Sequence, residues 1–240
     1  YCDLSEEQRK IYKEIADVSK KQIMTDLQKE KNIPYVHIFS LLSKLKQVCD
    51  HPSLILKDTR SYQKHQSGKW DLFVELLSEA RDSNQKIVVF SQYLGMLSII
   101  ESHLKKKGIG YAGIKGSTKN RKEQLKRFRE DPKCEVFVAS LLAAGVGIDL
   151  SAASIVIHYD RWWNPAKEDQ ATDRVHRIGQ SRGVQVFKLV TKNTIEEHIH
   201  SLIDRKKGLI EETIGKDDSD QIRLLSREEL MEVLQKTTGI

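Results

Sequence analysis

Between residues 86 and 190, short apolar runs rich in β-branched residues alternate with stretches of helical period. That alternation leaves few folds open. Ile87-Val88-Val89-Phe90, Val136-Phe137-Val138-Ala139 and Ile155-Val156-Ile157 read as strands, too continuously apolar to keep one face in water. Tyr111 to Ile114 and Val184 to Val190 read as two more. Between them, Leu94, Leu97, Ile100 and Leu104, and then Leu125 with Phe128, recur at helical spacing. Strands separated by helices of about 10–15 residues imply βαβ units. The predicted fold is therefore α/β: a doubly wound, mostly parallel sheet with helices on both faces, preceded by a helical segment. In such sheets ligands bind beyond the carboxyl ends of the strands. That rim would carry Ser91-Gln92, Gly116-Ser117-Thr118, Ser140 to Asp149 and Arg161 to Asn164.

Residues 1–56 read as helical. Ser5-Glu6-Glu7-Gln8 is a capping box, with Ile11, Ile15 and Val18 following at helical spacing. Pro34 breaks the pattern, and a second stripe of Phe39, Leu42, Leu45 and Val48 runs to Pro52. Residues 57–68 are polar and lack periodicity, which predicts a linker. Asn164-Pro165 opens a helix with Pro at its first position. Thr194-Ile195-Glu196-Glu197 is a second capping box. The expected division is 1–68 as helical lead-in and linker, 69–200 as the α/β lobe and 201–240 as a helical extension.

Composition excludes several classes. With 39% apolar and 31% charged residues in 240, wholesale disorder is not expected. No run approaches the roughly 18 apolar residues of a membrane span, so no membrane is expected. Cys2, Cys49 and Cys134 are too few and too scattered for a disulfide framework. The chain opens on Tyr1 without a leader, and a fragment of a longer protein is expected. Its formal net charge is +6. Residues 101–129 concentrate ten Lys and Arg against Glu101 and Glu123. That strip is either a solvated helix face or a track for phosphates.

Several chemistries lack their motif. There is no Gly-rich phosphate loop ending in Lys-Ser/Thr, and no acidic box after a strand to hold Mg²⁺. Gly145-Val146-Gly147 is followed by Leu150 where a dinucleotide fingerprint needs Gly. Cys49, His51 and His37 have no second close pair to complete a zinc site. The informative string is NPAKEDQATDRVHRIGQ at 164–180. On a continuous helix Gln170, Arg174 and Arg177 share one face. Two guanidiniums projecting together suit phosphate oxygens. Surface salt bridges to Asp169 and Asp173 are the plainer reading and stay open.

This string resembles motif VI of helicase superfamily two, in the form found in the Swi/Snf family of DNA-translocating ATPases. KIVVFSQY (86–93) resembles motif IV, and KGST with Arg121 resembles the DNA-contact motif that follows it. VFVASLLAAGVGIDLSAAS (136–154) resembles motif V. IHYDRWWNPAKEDQATDRVHRIGQ (157–180) and VQVFKLVTKNTIEEHI (184–199) continue in register. Upstream, LSEEQRKIY (4–12) and KQVCDHPSLI (46–55) are similar to the segment leading into this lobe. The likeness is collinear over about 1–210.

The resemblance implies a RecA-like second lobe. Its partners would be double-stranded DNA and the N-terminal RecA-like lobe of the same protein. ATP and Mg²⁺ would be used by the complete two-lobe protein, with neither held tightly here. Carried over by position, Arg174 and Arg177 would act as arginine fingers on the ATP phosphates, with Gln170 orienting them or the attacking water. Gly145, Gly147 and Asp149 would line the nucleotide sugar. Ser91, Gln92, Lys115, Gly116, Ser117, Thr118, Arg121 and Ser140 would meet DNA phosphates. Trp163 would couple hydrolysis to movement. The missing phosphate loop implies that this chain alone is inactive. Leu141 and Leu142 stand where the family often has Thr and a cation, Ala144 replaces a common Gly, and Asp149 replaces a common Asn. The compact spacing is more like prokaryotic members, implying a nucleoid-associated cytoplasmic protein; a eukaryotic member would be nuclear. A stand-alone nucleic-acid-binding α/β module without motor activity remains the alternative.

Overall fold

The computed structural model describes residues 1–29, 35–144, 147–162, 165–176, 183–201 and 226–236. The chain divides into two units. One comprises Asp71–Asp160 and Lys167–Leu189; the other comprises Tyr1–Trp70, Arg161–Ala166 and Val190–Ile240.

The first unit is built on five strands: β1 (Ile87–Ser91), β2 (Gly110–Ile114), β3 (Cys134–Ser140), β4 (Ile155–His158) and β5 (Gln185–Lys188). They form one sheet in the order β2-β3-β1-β4-β5, and all four pairings are parallel. Ile87 stands in register with both Val136 and Ile155. The three central strands are buried nearly throughout, with Val88, Val89, Phe90, Val136, Phe137, Val138, Val156 and Ile157 fully enclosed. Each such side chain contributes about 1.5–3 kcal/mol of burial. Their sequences run continuously apolar because neither face meets water. Edge strand β5 instead leaves Val186 40% exposed.

Around the sheet lie α4 (Gly68–Asp82), α5 (Leu94–Lys106), α6 (Arg121–Glu130), the single turn α7 (Leu141–Ala144) and α8 (Pro165–Thr172). The chain leaves central β1 first toward β3 and β2, then crosses to β4 and β5. The topological switch therefore falls at the carboxyl ends of β1, β3 and β4, where a doubly wound sheet opens a binding crevice. Pro165 is the first residue of α8, as expected from Asn164-Pro165, although Asn164 itself lies outside the described residues.

The second unit is helical. It includes α1 (Glu6–Lys29), α2 (Tyr35–Asp50), α3 (Pro52–Ile55), a 3-10 turn (Thr59–Lys64), α9 over 195–201 and α10 (Arg227–Lys236). The first capping box is reciprocal. Gln8 N–H donates to Ser5 Oγ at 3.1 Å, and Ser5 N–H donates to Gln8 Oε1 at 3.0 Å. Gln8 Nε2 also donates to the Val48 and Cys49 carbonyls, at 2.7 and 3.0 Å. At α9 the box is offset: Glu197 accepts from Asn193 N–H at 2.8 Å, and Glu196 accepts from Thr191 N–H at 2.9 Å.

The polar stretch 57–68, expected as a linker, is pinned. Asp58 caps the 3-10 turn. Glu7 accepts from Gln66 N–H at 3.0 Å, and Gln8 Oε1 accepts from Gly68 N–H at 3.0 Å. A Cβ at Gly68 would sit 2.1 Å from the Asp3 carbonyl oxygen, so no larger residue fits.

Charges lie at the heart of this unit. Lys69 Nζ donates to Asp50 Oδ1 at 2.8 Å and also to Glu196 Oε1, and all three side chains are fully buried. Burial opposes the Lys69 charge, yet Asp50 and Glu196 hold the ammonium well above the ordinary lysine range. Cys2, Cys49 and Cys134 are free and buried, and burial pushes each thiol up. Among the described residues no helix is long and apolar enough to cross a membrane.

Candidate functional site

The chemistry-bearing residues of the sheet unit gather at the carboxyl ends of its strands. β1 ends at Ser91, and the chain turns through Gln92 and Tyr93 into α5. Ser91 is fully buried. Its hydroxyl donates to Asp160 Oδ2, just past β4, and Gln92 N–H donates to Asp160 Oδ1 at 3.1 Å. After β2, Lys115 to Thr118 form a closed turn. Lys115 N–H donates to Thr118 Oγ1 at 2.9 Å, and Thr118 N–H donates to the Lys115 carbonyl at 3.0 Å. Gly116 and Ser117 are exposed at its tip, and Arg121 Nη2 donates to the Gly116 carbonyl at 3.4 Å. Lys115 Nζ is 2.6 Å from Glu101, so much of its charge is already met. At the end of β3, Ser140 Oγ accepts from Ala143 N–H at 3.3 Å and starts α7. Leu141 turns inward, whereas Leu142 is 66% exposed at the position where the family pattern has a cation.

In the loop expected to line the nucleotide, Gly147 adopts φ +51°, a left-handed conformation that side chains other than glycine resist. Asp149 Oδ1 accepts from Ser151 N–H at 3.1 Å and from Ser151 Oγ at 2.7 Å, which folds the loop into an Asx turn. Leu150 N–H donates to the Arg174 carbonyl at 3.0 Å, tying this loop to the segment that carries the arginines.

That segment differs from expectation. The helix is not continuous through Asp173 to His176. α8 ends at Thr172, whose hydroxyl donates back to the Glu168 carbonyl at 3.0 Å. A β-branched residue with that local bond favours a helix end. Beyond it the chain tightens: Arg174 N–H donates to the Ala171 carbonyl at 3.2 Å and Val175 N–H to the Thr172 carbonyl at 2.9 Å, both three residues back. Gln170 is exposed on α8, while Arg174 sits in the turn after it. The shared helical face of Gln170 and Arg174 is therefore replaced by a helix and the turn that closes it. Arg177, Gly145 and Trp163 lie outside the described residues.

Arg174 Nε is buried and has no hydrogen-bond partner among the described residues. The salt bridge expected from Asp169 goes elsewhere: Asp169 lies 3.6 Å from Lys188 Nζ, which also meets the fully buried Glu168 at 2.9 Å. Arg174 as a whole is half-buried, and a guanidinium with no carboxylate partner among the described residues suits an anion. No group of three or more His, Cys, Asp or Glu that could hold a metal occurs among the described residues.

Three residues here escaped the motif reading: Asp160, His158 and Thr172. His158 is buried, stacks on Phe90 with centroids 5.4 Å apart, and places Nε2 3.0 Å from Thr172 Oγ1. The one local signal for Asp160 is a polar residue at a strand's carboxyl end, the same signal that singled out Ser91 and Ser140.

The helicase conserved C-terminal domain family matches residues 68–179. A putative ATP-dependent helicase/translocase of Bacillus subtilis is 39% identical over 199 residues, covering 82% of this chain and 21% of that protein. The chain thus spans about a fifth of the length of the curated relatives it matches. A Sulfolobus solfataricus SWI2/SNF2 ATPase core in complex with dsDNA is 36% identical with a TM-score of 0.76, and covers 100% of this chain and 49% of that one. The Sulfolobus solfataricus SWI2/SNF2 ATPase C-terminal domain is 34% identical with a TM-score of 0.73, and covers 97% of this chain and 95% of that one. An all-parallel sheet with this switch point, the motif order along it and near end-to-end similarity to that domain agree: the chain belongs to the SWI2/SNF2 family of ATPases, as a helicase C-terminal domain.

Proposed function

We propose that this chain is the second lobe of an ATP-driven translocase on double-stranded DNA. The observation that carries the reading is Arg174, whose buried Nε lacks a partner among the described residues while Asp169 pairs with Lys188. ATP bound on a first lobe would bring its phosphates to Arg174 and Arg177, which neutralise charge developing on the transferred phosphoryl group. Gln170, exposed on α8, orients those groups or the attacking water. Gly145, Gly147 and Asp149 line the sugar. Mg²⁺ would be held by residues outside this chain.

On the DNA side, the turn Lys115 to Thr118, with Arg121, and the rim at Ser140 follow phosphates without reading bases, as a tracking motor requires. Trp163 couples the two sides. ATP would draw the lobes together and hydrolysis would release them, so that grip alternates along the duplex. Activity would appear in the nucleoid of a bacterium or in a nucleus.

The test is DNA-stimulated ATP hydrolysis. Isolated 1–240 is expected to show none, and the same chain joined to its first lobe is expected to show it. In the joined protein, Arg174→Ala or Arg177→Ala should lower turnover by about 10²–10³-fold, with DNA affinity within twofold. Robust turnover by 1–240 alone, or unchanged turnover in both variants, sinks the reading.

A further inference from the structure

The carboxyl end of β4 carries a carboxylate that the function above does not use. Asp160 is fully buried, and it accepts from the Ser91 hydroxyl on one oxygen and from Gln92 N–H on the other, at 3.1 Å. Ser91 Oγ in turn accepts from Tyr93 N–H at 3.1 Å. The bridge forms where the β1–β4 ladder closes, with Tyr159 N–H donating to the Phe90 carbonyl at 3.0 Å. Two residues before Asp160, His158 meets Thr172, the last residue of α8 and the start of the turn that carries Arg174. One strand end therefore holds both the corner after β1 and the turn after α8.

A serine hydroxyl has one proton to give. A phosphate can only accept, and the single proton of Ser91 is already committed to Asp160, as is the amide of Gln92. We propose that Asp160 is a positioning residue which fixes the Ser91-Gln92-Tyr93 corner for DNA, and that Ser91 acts through Asp160 and not by touching a phosphate. This rests on the translocase reading above.

The experiment is a double-variant cycle in the full-length protein, reading the DNA concentration for half-maximal ATPase stimulation, the maximal rate and the melting temperature. Asp160→Asn keeps the shape but loses the charge and turns one of the two acceptor oxygens into a donor. It should raise half-saturating DNA by about tenfold with the maximal rate within twofold. Ser91→Ala should raise it less, and Asp160→Asn combined with Ser91→Ala should be no worse than Asp160→Asn alone. Additive losses would mean that Ser91 makes its own phosphate contact, and would overturn the proposal. A fall in maximal rate at unchanged half-saturating DNA would overturn it too. Should Asp160→Asn fail to fold, hydrogen exchange in Ser91→Ala without DNA decides: the Gln92 and Tyr93 amides should exchange faster, and unchanged exchange counts against the proposal. That last measurement needs neither ATP nor DNA. Faster exchange in a protein that lacks DNA stimulation would support the fixed corner while removing the translocase reading.

Discussion

In the sheet unit the interior is hydrocarbon, and buried polar groups such as Ser91, Asp160 and His158 stand at the strand ends or just beyond them. In the helical unit charge sits in the interior: Lys69, Asp50 and Glu196 are all fully buried, and buried Lys46 donates to the Arg161 carbonyl at 2.6 Å. The difference follows from secondary structure. A parallel sheet satisfies its backbone internally and needs only apolar faces to pack. Helices that end within the unit leave helix-end and loop carbonyls inside, and polar side chains must satisfy them. Gln8 is the clearest case, bonding the α1 cap, the end of α2 and the first residue of α4 with one amide. The rim of one unit is thus open to ligand chemistry, whereas the polar groups of the other are consumed in holding the fold.

The sharpest way to break that contrast is Lys69→Met. It leaves Asp50 and Glu196 buried without their cation, and should cost about 3–5 kcal/mol in denaturant unfolding. A loss below about 1 kcal/mol would mean that the triad is not what holds the helical unit.

Acid should probe the same unit next. His51 is fully buried, caps α3 by accepting from Ser53 N–H at 3.2 Å, and lies edge-on to Tyr62 and Trp70. Burial, with a contribution from nearby His65, lowers its pKa to about 4, against a raising effect from Glu7. Between the ordinary value near 6.5 and about 4 the unfolded chain binds a proton that the folded chain refuses. Stability is therefore full above that window and falls with pH through it, by about 3 kcal/mol in all. His51→Asn, which retains a capping oxygen, should flatten this acid limb in pH-dependent urea melts; an unaltered limb would assign it elsewhere.

The smallest expected effect sharpens the comparison at the chain's far end. Ser226 and Glu229 form a reciprocal box at α10, with bonds of 2.8 and 3.2 Å. Ser226→Ala should cost about 1 kcal/mol. If thermal melts show no change, α10 does not share in the cooperative unfolding of the chain.

The sheet was legible because burial on both faces leaves a continuous apolar signature, and β1, β3 and β4 fall where their β-branched runs stand. Capping boxes were legible because their partners are three residues apart. What escaped was long-range polar pairing. Residues 57–68 carry no period, yet they are ordered by Glu7 and Gln8, about sixty residues away in sequence. Ser91 reads as a phosphate contact from its place at a strand end; its hydrogen bond to Asp160, sixty-nine residues on, could not be read from spacing. The end of α8 was misjudged because Thr172 stops the helix through a back-bond and a histidine on β4, both invisible to a spacing rule.

The three sulfhydryls offer a practical consequence. Since Cys2, Cys49 and Cys134 are all enclosed and their thiolates disfavoured, a lone cysteine introduced at exposed Lys119 would outpace them toward a maleimide. This chain can therefore receive a single fluorophore without first being stripped of its own sulfur.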